Sequence, residues 1–275
     1  MDANGSFDED GDYSIPGVKG TGSEVKVAFV DPAGSMTGKL FPTGKRSETI
    51  TATCKDGKRF TVNATLIDAA NPFVVVDQSS LPHHLRTPTK DSSTYLEQME
   101  AIRRAGAVAM GLAPNIEAAA KTRGTPKLAI VSPVDLSRSP KAQAEHDTAS
   151  IQVLAFSMGK PHPSLQLTGA ACLSSAVCIE GTVAHCIASQ HSAKVKWGNP
   201  TPQRTPSPSL SDSSLGVSCL LPDRQLVNIV HPSGSIEVEV LAASSSSFAT
   251  VERCVVSRTA RRIFEVNVYY YRDGV

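Results

Sequence analysis

The sequence lacks an excess of either charge. Lys and Arg number 27 against 26 Asp and Glu, a formal net charge of +1 over 275 residues. A dedicated nucleic-acid or anionic-membrane binder needs concentrated positive charge, so neither partner is expected. No uninterrupted apolar run is long enough to span a bilayer, which excludes a helical membrane protein. The six cysteines (Cys54, Cys172, Cys178, Cys186, Cys219, Cys254) include no C-x-x-C pair, and a chain of this length needs no disulfide staples. A reducing, cytoplasmic setting fits that usage. The first residues are acidic (Asp2, Asp8, Glu9, Asp10, Asp12), with neither a basic, apolar leader nor an Arg-rich transit segment.

What is present has the ordinary globular balance of 40% hydrophobic and 19% charged residues, enough for one large domain or two small ones. Residues 1–24 read as loop, punctuated by Gly5, Gly11, Gly17, Gly20 and Gly22. Strands are expected over 25–30, 48–54, 59–67, 127–131, 151–156, 226–230, 236–241, 251–256 and 267–271. The run Phe73-Val74-Val75-Val76 is apolar on both faces and predicts a buried strand. A helix is expected from Tyr95 to Met110, capped by Thr94 with Glu97. Leu96, Met99, Ile102, Gly106 and Ala109 would form its inner face, with Arg103 and Arg104 outward. A second helix, Thr168 to Ile179, is small or apolar nearly all round and belongs inside the structure. The Pro/Ser-rich stretch 197–216 reads as a disordered insertion. The fold class these elements predict is α+β, a curved mixed or antiparallel sheet wrapped around that inner helix.

Several motif matches fail when their chemistry is checked. Gly34-Ser35-Met36-Thr37-Gly38-Lys39 is one residue short of a phosphate loop, and Leu40 stands where a Ser or Thr would bind magnesium. Asp8, Asp10 and Asp12 imitate a calcium loop without its glycine or closing Glu. Ser157-Met158-Gly159-Lys160 satisfies S-x-x-K but lacks the K-T-G and S-D-N partners. His83, His84 and His185 have no companions at metal-ligand spacing. Arg258, Arg261 and Arg262 read as a solvated charged face. Neither a metal nor a nucleotide cofactor is expected.

The stretch from Ser157 to Cys172 carries the chemistry. A strand ends, a polar loop with Lys160 and His162 follows, and Thr168-Gly169 opens the inner helix. The first amides of such a helix are unpaired and carry the positive end of its dipole, an arrangement suited to a carboxylate. Gly169 would let a ligand approach the backbone closely, and Lys160 and His162 would add charge-assisted hydrogen bonds. The plainer alternative is that Thr168 only caps the helix and His162 only serves neighbouring backbone. Asn71, in Asp68-Ala69-Ala70-Asn71-Pro72, either turns a ligand-facing amide toward the site or simply starts a turn. Cys172 is either a thiol acid/base or a core residue, and its apolar surroundings favour the core.

Read together, these stretches resemble the PrpF family, the methylaconitate isomerases with related methylitaconate isomerases and oxalomesaconate tautomerases. The resemblance rests on Asp31-Pro32-Ala33-Gly34-Ser35 with Thr37-Gly38-Lys39-Leu40 and Pro42-Thr43-Gly44, on Asp68 to Pro72, and on Ser157 to Cys172 with Gly181-Thr182. His231-Pro232-Ser233-Gly234, Arg258-Thr259-Ala260-Arg261-Arg262, Pro126-Lys127 and Met110-Gly111-Leu112 follow in family order.

The resemblance implies a diaminopimelate-epimerase-like fold and cofactor-free proton transfer beside a carboxylate of a small unsaturated di- or tricarboxylic acid. Asn71, Lys160, His162, Thr168, Gly169 and Ala170 match its substrate-binding side. It also implies an Arg-Gly-Gly-Thr-Ser-Lys stretch, a Gly-Gly…Ser-Lys segment with a lysine base, and a Cys-Gly-Asn segment, none of which occurs in this sequence. Residues 1–24 are therefore expected to end a truncated first domain, 25–250 to form the second domain, and 251–275 to return toward the first. Two functions follow: an isomerase whose catalytic base lies outside this chain, or a non-catalytic remnant that binds carboxylates. The only partner expected is the carboxylic-acid substrate, with a homodimer as an allowed assembly.

Overall fold

The computed structural model describes residues 10–15, 18–87, 92–134, 150–196, 223–244, 249–260 and 266–267. The 197–216 stretch, residues 268–271 of the strand expected at 267–271, and Arg261 and Arg262 lie outside the described residues, and Asn267 is not in a strand. A short pair, β1 (Tyr13–Ser14) and β2 (Thr21–Gly22), precedes the main sheet. That sheet contains β3 (Glu24–Val30), β4 (Glu48–Thr53), β5 (Arg59–Ala69), β6 (Asn71–Asp77), β7 (Lys127–Ser132) and β8 (Ile151–Ser157). It is completed by β9 (Lys160–Pro161), β10 (Asp223–His231), β11 (Gly234–Ser244) and β12 (Ala249–Thr259). The helices are α1 (Ser93–Ala109), α2 (Ile116–Lys121), α3 (Leu167–Cys178) and α4 (Val183–Lys196).

The strand order is β3-β12-β11-β10-β8-β7-β6-β5-β4, with β9 beside β8. Pairs β6–β7 and β8–β10 are parallel and the others antiparallel, so the sheet is mixed. Helix α3 packs on β5 and β6 from one wing and on β10, β11 and β12 from the other. One helix can touch both wings only if the sheet curls around it, as the resemblance implied. Residues 251–259, expected to return toward another domain, run between β3 and β11 in this same sheet.

Alternation along β6 explains why its apolar run has no polar side. Phe73 and Val75 face α3, while Val74 and Val76 face α1, and all four are fully buried. Small residues let the sheet close on α3: Gly169, Ala170, Ala171, Ser174, Ser175 and Ala176 are all buried. The Ser174 and Ser175 hydroxyls donate to the Ala170 and Ala171 carbonyls, each at 2.7 Å, so neither polar group is stranded.

Helix α1 departs from expectation at four points. Its cap is Ser92, whose hydroxyl accepts from the Tyr95 N–H at 3.4 Å, and not Thr94. Glu97 is drawn away to the end of β4, accepting from the Lys55 N–H at 3.1 Å. Arg103 is buried, not outward, because α2 and residues 122–125 cover that flank. It donates to Glu100 and to the carbonyls of Ala119, Thr122 and Thr125. Ala109, assigned to the inner face, is exposed at the helix end.

Candidate active site at the N-terminus of α3

The helix begins at Leu167 with Gln166 as its cap, and no side chain bonds to the cap position. Thr168 therefore does not cap it. Ala170 is the first residue whose N–H is taken by the helix, donating to the Gln166 carbonyl at 2.8 Å. The N–H groups of Leu167, Thr168 and Gly169 have no hydrogen-bond partner among the described residues. Three free donors thus stand on the positive end of a twelve-residue helix, an arrangement suited to a carboxylate.

Two details of that expectation change. Ala170 is fully buried with its N–H engaged, so it adds no donor to the cradle. Gly169 is also buried, and a Cβ there would stand 2.9 Å from Phe73 Cζ and 3.1 Å from Leu165 Cδ1. Its smallness serves packing against the sheet. Gln166 adds a polar group at the same end: both atoms of its side-chain amide are buried without a partner.

Around this helix end the sheet gathers basic and imidazole groups. The two-residue turn Met158-Gly159, both with positive φ, joins β8 to β9 and sends the chain toward His162. The His162 N–H donates to the Ala155 carbonyl at 2.7 Å, and its Nδ1 lies 2.7 Å from the Ser164 carbonyl. The Ser164 N–H also lies 3.2 Å from Nδ1, so that nitrogen is tied to local backbone, while Nε2 has no protein partner among the described residues. The local backbone role foreseen for His162 is therefore present, on one ring nitrogen. The β10–β11 hairpin comes to meet this loop, with the Ser233 hydroxyl donating to the Pro163 carbonyl. It carries His231 into the fields of Arg258 and His162. Burial first, then the neighbouring Arg258 and His162 side chains, hold the His231 imidazole below its ordinary pKa of 6.5.

The loop that imitated a phosphate site does bind an anion, one supplied by the protein. Asp68 is fully buried, and its carboxylate accepts from the Met36 N–H at 2.8 Å and the Thr37 N–H at 2.7 Å. The hydroxyls of Ser35 and Thr37 also donate to it. A Cβ on Gly34 would fall 2.5 Å from the Gly38 carbonyl carbon, so the tight loop requires glycine. The clamp and its loop engage the amides of Gly34, Met36, Thr37 and Gly38. The clamp fixes the β5–β6 reversal at Ala70 (φ 60°), from which Asn71 opens β6 half-buried. Asn71 therefore follows the turn and does not start it.

The structure brings His162 and the first turn of α3 to one end of the molecule. Lys160 is placed differently: it is exposed and lines a cleft against α1. One residue was missed. Lys127 opens β7 in register with Phe73, whose ring abuts Gly169, and alternation puts it on the α3 face with Ala129. Burial lowers its ammonium pKa. The signal was a lysine at the start of an otherwise apolar buried strand. Cys172 is a core residue, fully buried, with burial pushing its thiol far up. Among the described residues no three His, Cys, Asp or Glu side chains are grouped to hold a metal ion. No single described helix is long and apolar enough to cross a membrane.

A mixed sheet curled around a buried helix with a bare N-terminus defines the diaminopimelate-epimerase-like class. Within that class the chain belongs to the PrpF family: residues 2–203 match the family described as PrpF protein. It is 31% identical over 272 residues to YraM of Bacillus subtilis, covering 98% of this chain and 62% of that protein. It is 28% identical over 270 residues to a 2-methyl-aconitate isomerase of Shewanella oneidensis, covering 95% and 59%. A solved methylitaconate-delta-isomerase superposes with TM-score 0.66 at 26% identity, covering 98% of this chain and 64% of that one. The chain thus spans about six-tenths of the length of the curated relatives it matches.

Proposed function

We propose that this chain is the carboxylate-binding part of an isomerase for small unsaturated di- or tricarboxylic acids of the aconitate or methylaconitate type. The observation that carries the reading is the set of three unpartnered amides at the start of α3. A substrate carboxylate seated there would be held by charge-assisted hydrogen bonds and the helix dipole. Removing a proton from the adjacent carbon sends negative charge into that carboxylate, and amides already aimed at it stabilise the enolate-like form. Asn71, His162 and Lys127 are assigned to the remaining polar groups of the acid. The reaction needs no cofactor, because the charge that develops is spread onto oxygens that the amides hold.

The proton-abstracting base is assigned outside these 275 residues, since neither the Gly-Gly…Ser-Lys nor the Cys-Gly-Asn segment is present. The buried thiols of Cys172 and Cys254, both pushed up by burial, are poor replacements. Purified chain should therefore bind tricarballylate, an unreactive tricarboxylate, without exchanging protons of aconitate-type acids. Leu167→Pro tests the cradle directly. Gln166 already has the extended backbone (φ −63°, ψ 148°) that precedes a proline, and proline is tolerated in a first helical turn. The substitution deletes one donor and should weaken binding about tenfold by calorimetry. Unchanged affinity would remove α3 from the site, and proton exchange seen by NMR would refute the missing base.

A further inference from the structure

On the α1 side, a cleft of about 380 Å³ opens between α1, the end of β4, the region of α2 and the β8–β9 turn. Its size falls at the small end of ligand pockets, roughly 300–1,000 Å³. No residue of α3 or of the 162–166 loop lines it. Four cations border it, Lys55, Arg104, Arg123 and Lys160, against two carboxylates, Glu97 and Glu100.

Both carboxylates are already engaged. Glu100 is held by Arg103 at 2.7 Å and Arg104 at 2.9 Å, and Glu97 by the Lys55 ammonium at 3.8 Å and its amide at 3.1 Å. Arg123 and Lys160 have no acidic partner among the described residues. The Arg123 guanidinium lies across the turn, 2.4 Å from where a Gly159 Cβ would be. That position sets a planar cation against a backbone turn, beside Lys160 and within one cleft with Arg104. The whole chain carries a net charge of only +1, so this concentration of positive charge is local.

We propose that this cleft binds a small polyanion, a molecule with at least two carboxylate or phosphate groups, independently of the α3 site. Arg123 offers a planar fork to one oxyanion and Lys160 a point charge to a second. The enclosed volume suits a small molecule more than an extended acidic polymer. Binding should weaken as salt rises, because Lys55 and Lys160 are solvent-exposed.

An NMR titration of the 275-residue chain tests this, following the Gly159 amide with pyrophosphate and, separately, with tricarballylate. Saturable shifts at Gly159 with either probe are expected; the probe that binds distinguishes phosphate from carboxylate ligands. The R123Q/K160Q double variant should weaken the response about tenfold or more, while Leu167→Pro leaves it unchanged. No saturable shift with either probe would overturn the proposal, as would equal affinity in R123Q/K160Q. Loss of the Gly159 response in Leu167→Pro would also overturn it, by making the two sites one.

Discussion

Helices α1 and α3 lie on opposite faces of one sheet, yet their ends are built for different purposes. Helix α1 has its start capped by Ser92 and its polar flank locked by the Glu100–Arg103–Arg104 cluster. Helix α3 has no charged side chain, buries almost every residue and leaves its first three amides bare. The capped helix is held by polar bonds that end inside the protein. The uncapped one is held mainly by packing, with thiol and hydroxyl contacts to β5 and β12, and its first turn is left with unspent donors. Where a fold leaves backbone donors unspent, that is where binding is to be sought.

The comparison breaks first at Arg103. Its side chain is 4% exposed and holds Glu100 and three backbone carbonyls, so Arg103→Met strands all of them. Denaturant unfolding should register a loss of about 3–5 kcal/mol. E100Q/R103M should recover only part of it, because the carbonyls of Ala119, Thr122 and Thr125 remain unpaired. A loss near zero would mean that α1, like α3, is held mainly by packing.

The same small residue plays a similar part in both helices. A Cβ on Gly106 of α1 would lie 2.2 Å from Val74 Cγ2, a branched side chain locked in the middle of the sheet. Gly106→Ala should cost about 1–2 kcal/mol net, overpacking exceeding the roughly 1 kcal/mol gained in helix propensity. For α3 the sharper variant is Lys127→Met, on the face α3 covers. Burial already disfavours that charge, so stability should not fall, whereas tricarballylate affinity should drop about tenfold. If calorimetry shows unchanged binding, Lys127 belongs to the core and not to the site.

How much of this was legible depends on what kind of force decides each residue. Burial wrote itself into the pattern: the two-faced run at Phe73–Val76 and the small, apolar α3 were both readable, because one residue's environment fixed its type. Arg103 was not, since helical spacing places it beside Ile102 on the flank, and only α2 and the 122–125 segment, distant in sequence, bury it. Asp68 was read only as part of a turn, because its partners lie some thirty residues earlier. At the site, the bare amides followed from the helix start and needed only a shift of one residue. The encounter of His162, His231 and Arg258 required the strand order, which no local pattern encodes.

Acid should separate the two faces by their titration limits. Burial tends to raise the Glu100 pKa, but its hydrogen bonds and ion pairs with Arg103 and Arg104 outweigh that and hold it below 4.5. A depressed carboxylate stabilises the fold above its unfolded value, and that contribution is lost as pH falls below about 4.5. His231 acts higher. Its folded pKa lies below 6.5, so on acidification the unfolded chain takes up the proton first. Stability then declines as pH falls from about 6.5 toward the folded value, and levels off below it. Because His231 is half-buried and solvent screens its neighbours, this limb should be the smallest of the effects considered. Urea midpoints measured across the acid range should show both limbs in the unaltered chain. His231→Gln should flatten the upper limb alone, and E100Q/R103M the lower alone. If the His231→Gln curve keeps its upper limb, the imidazole is not held neutral by Arg258 and His162, and the three groups do not share one site.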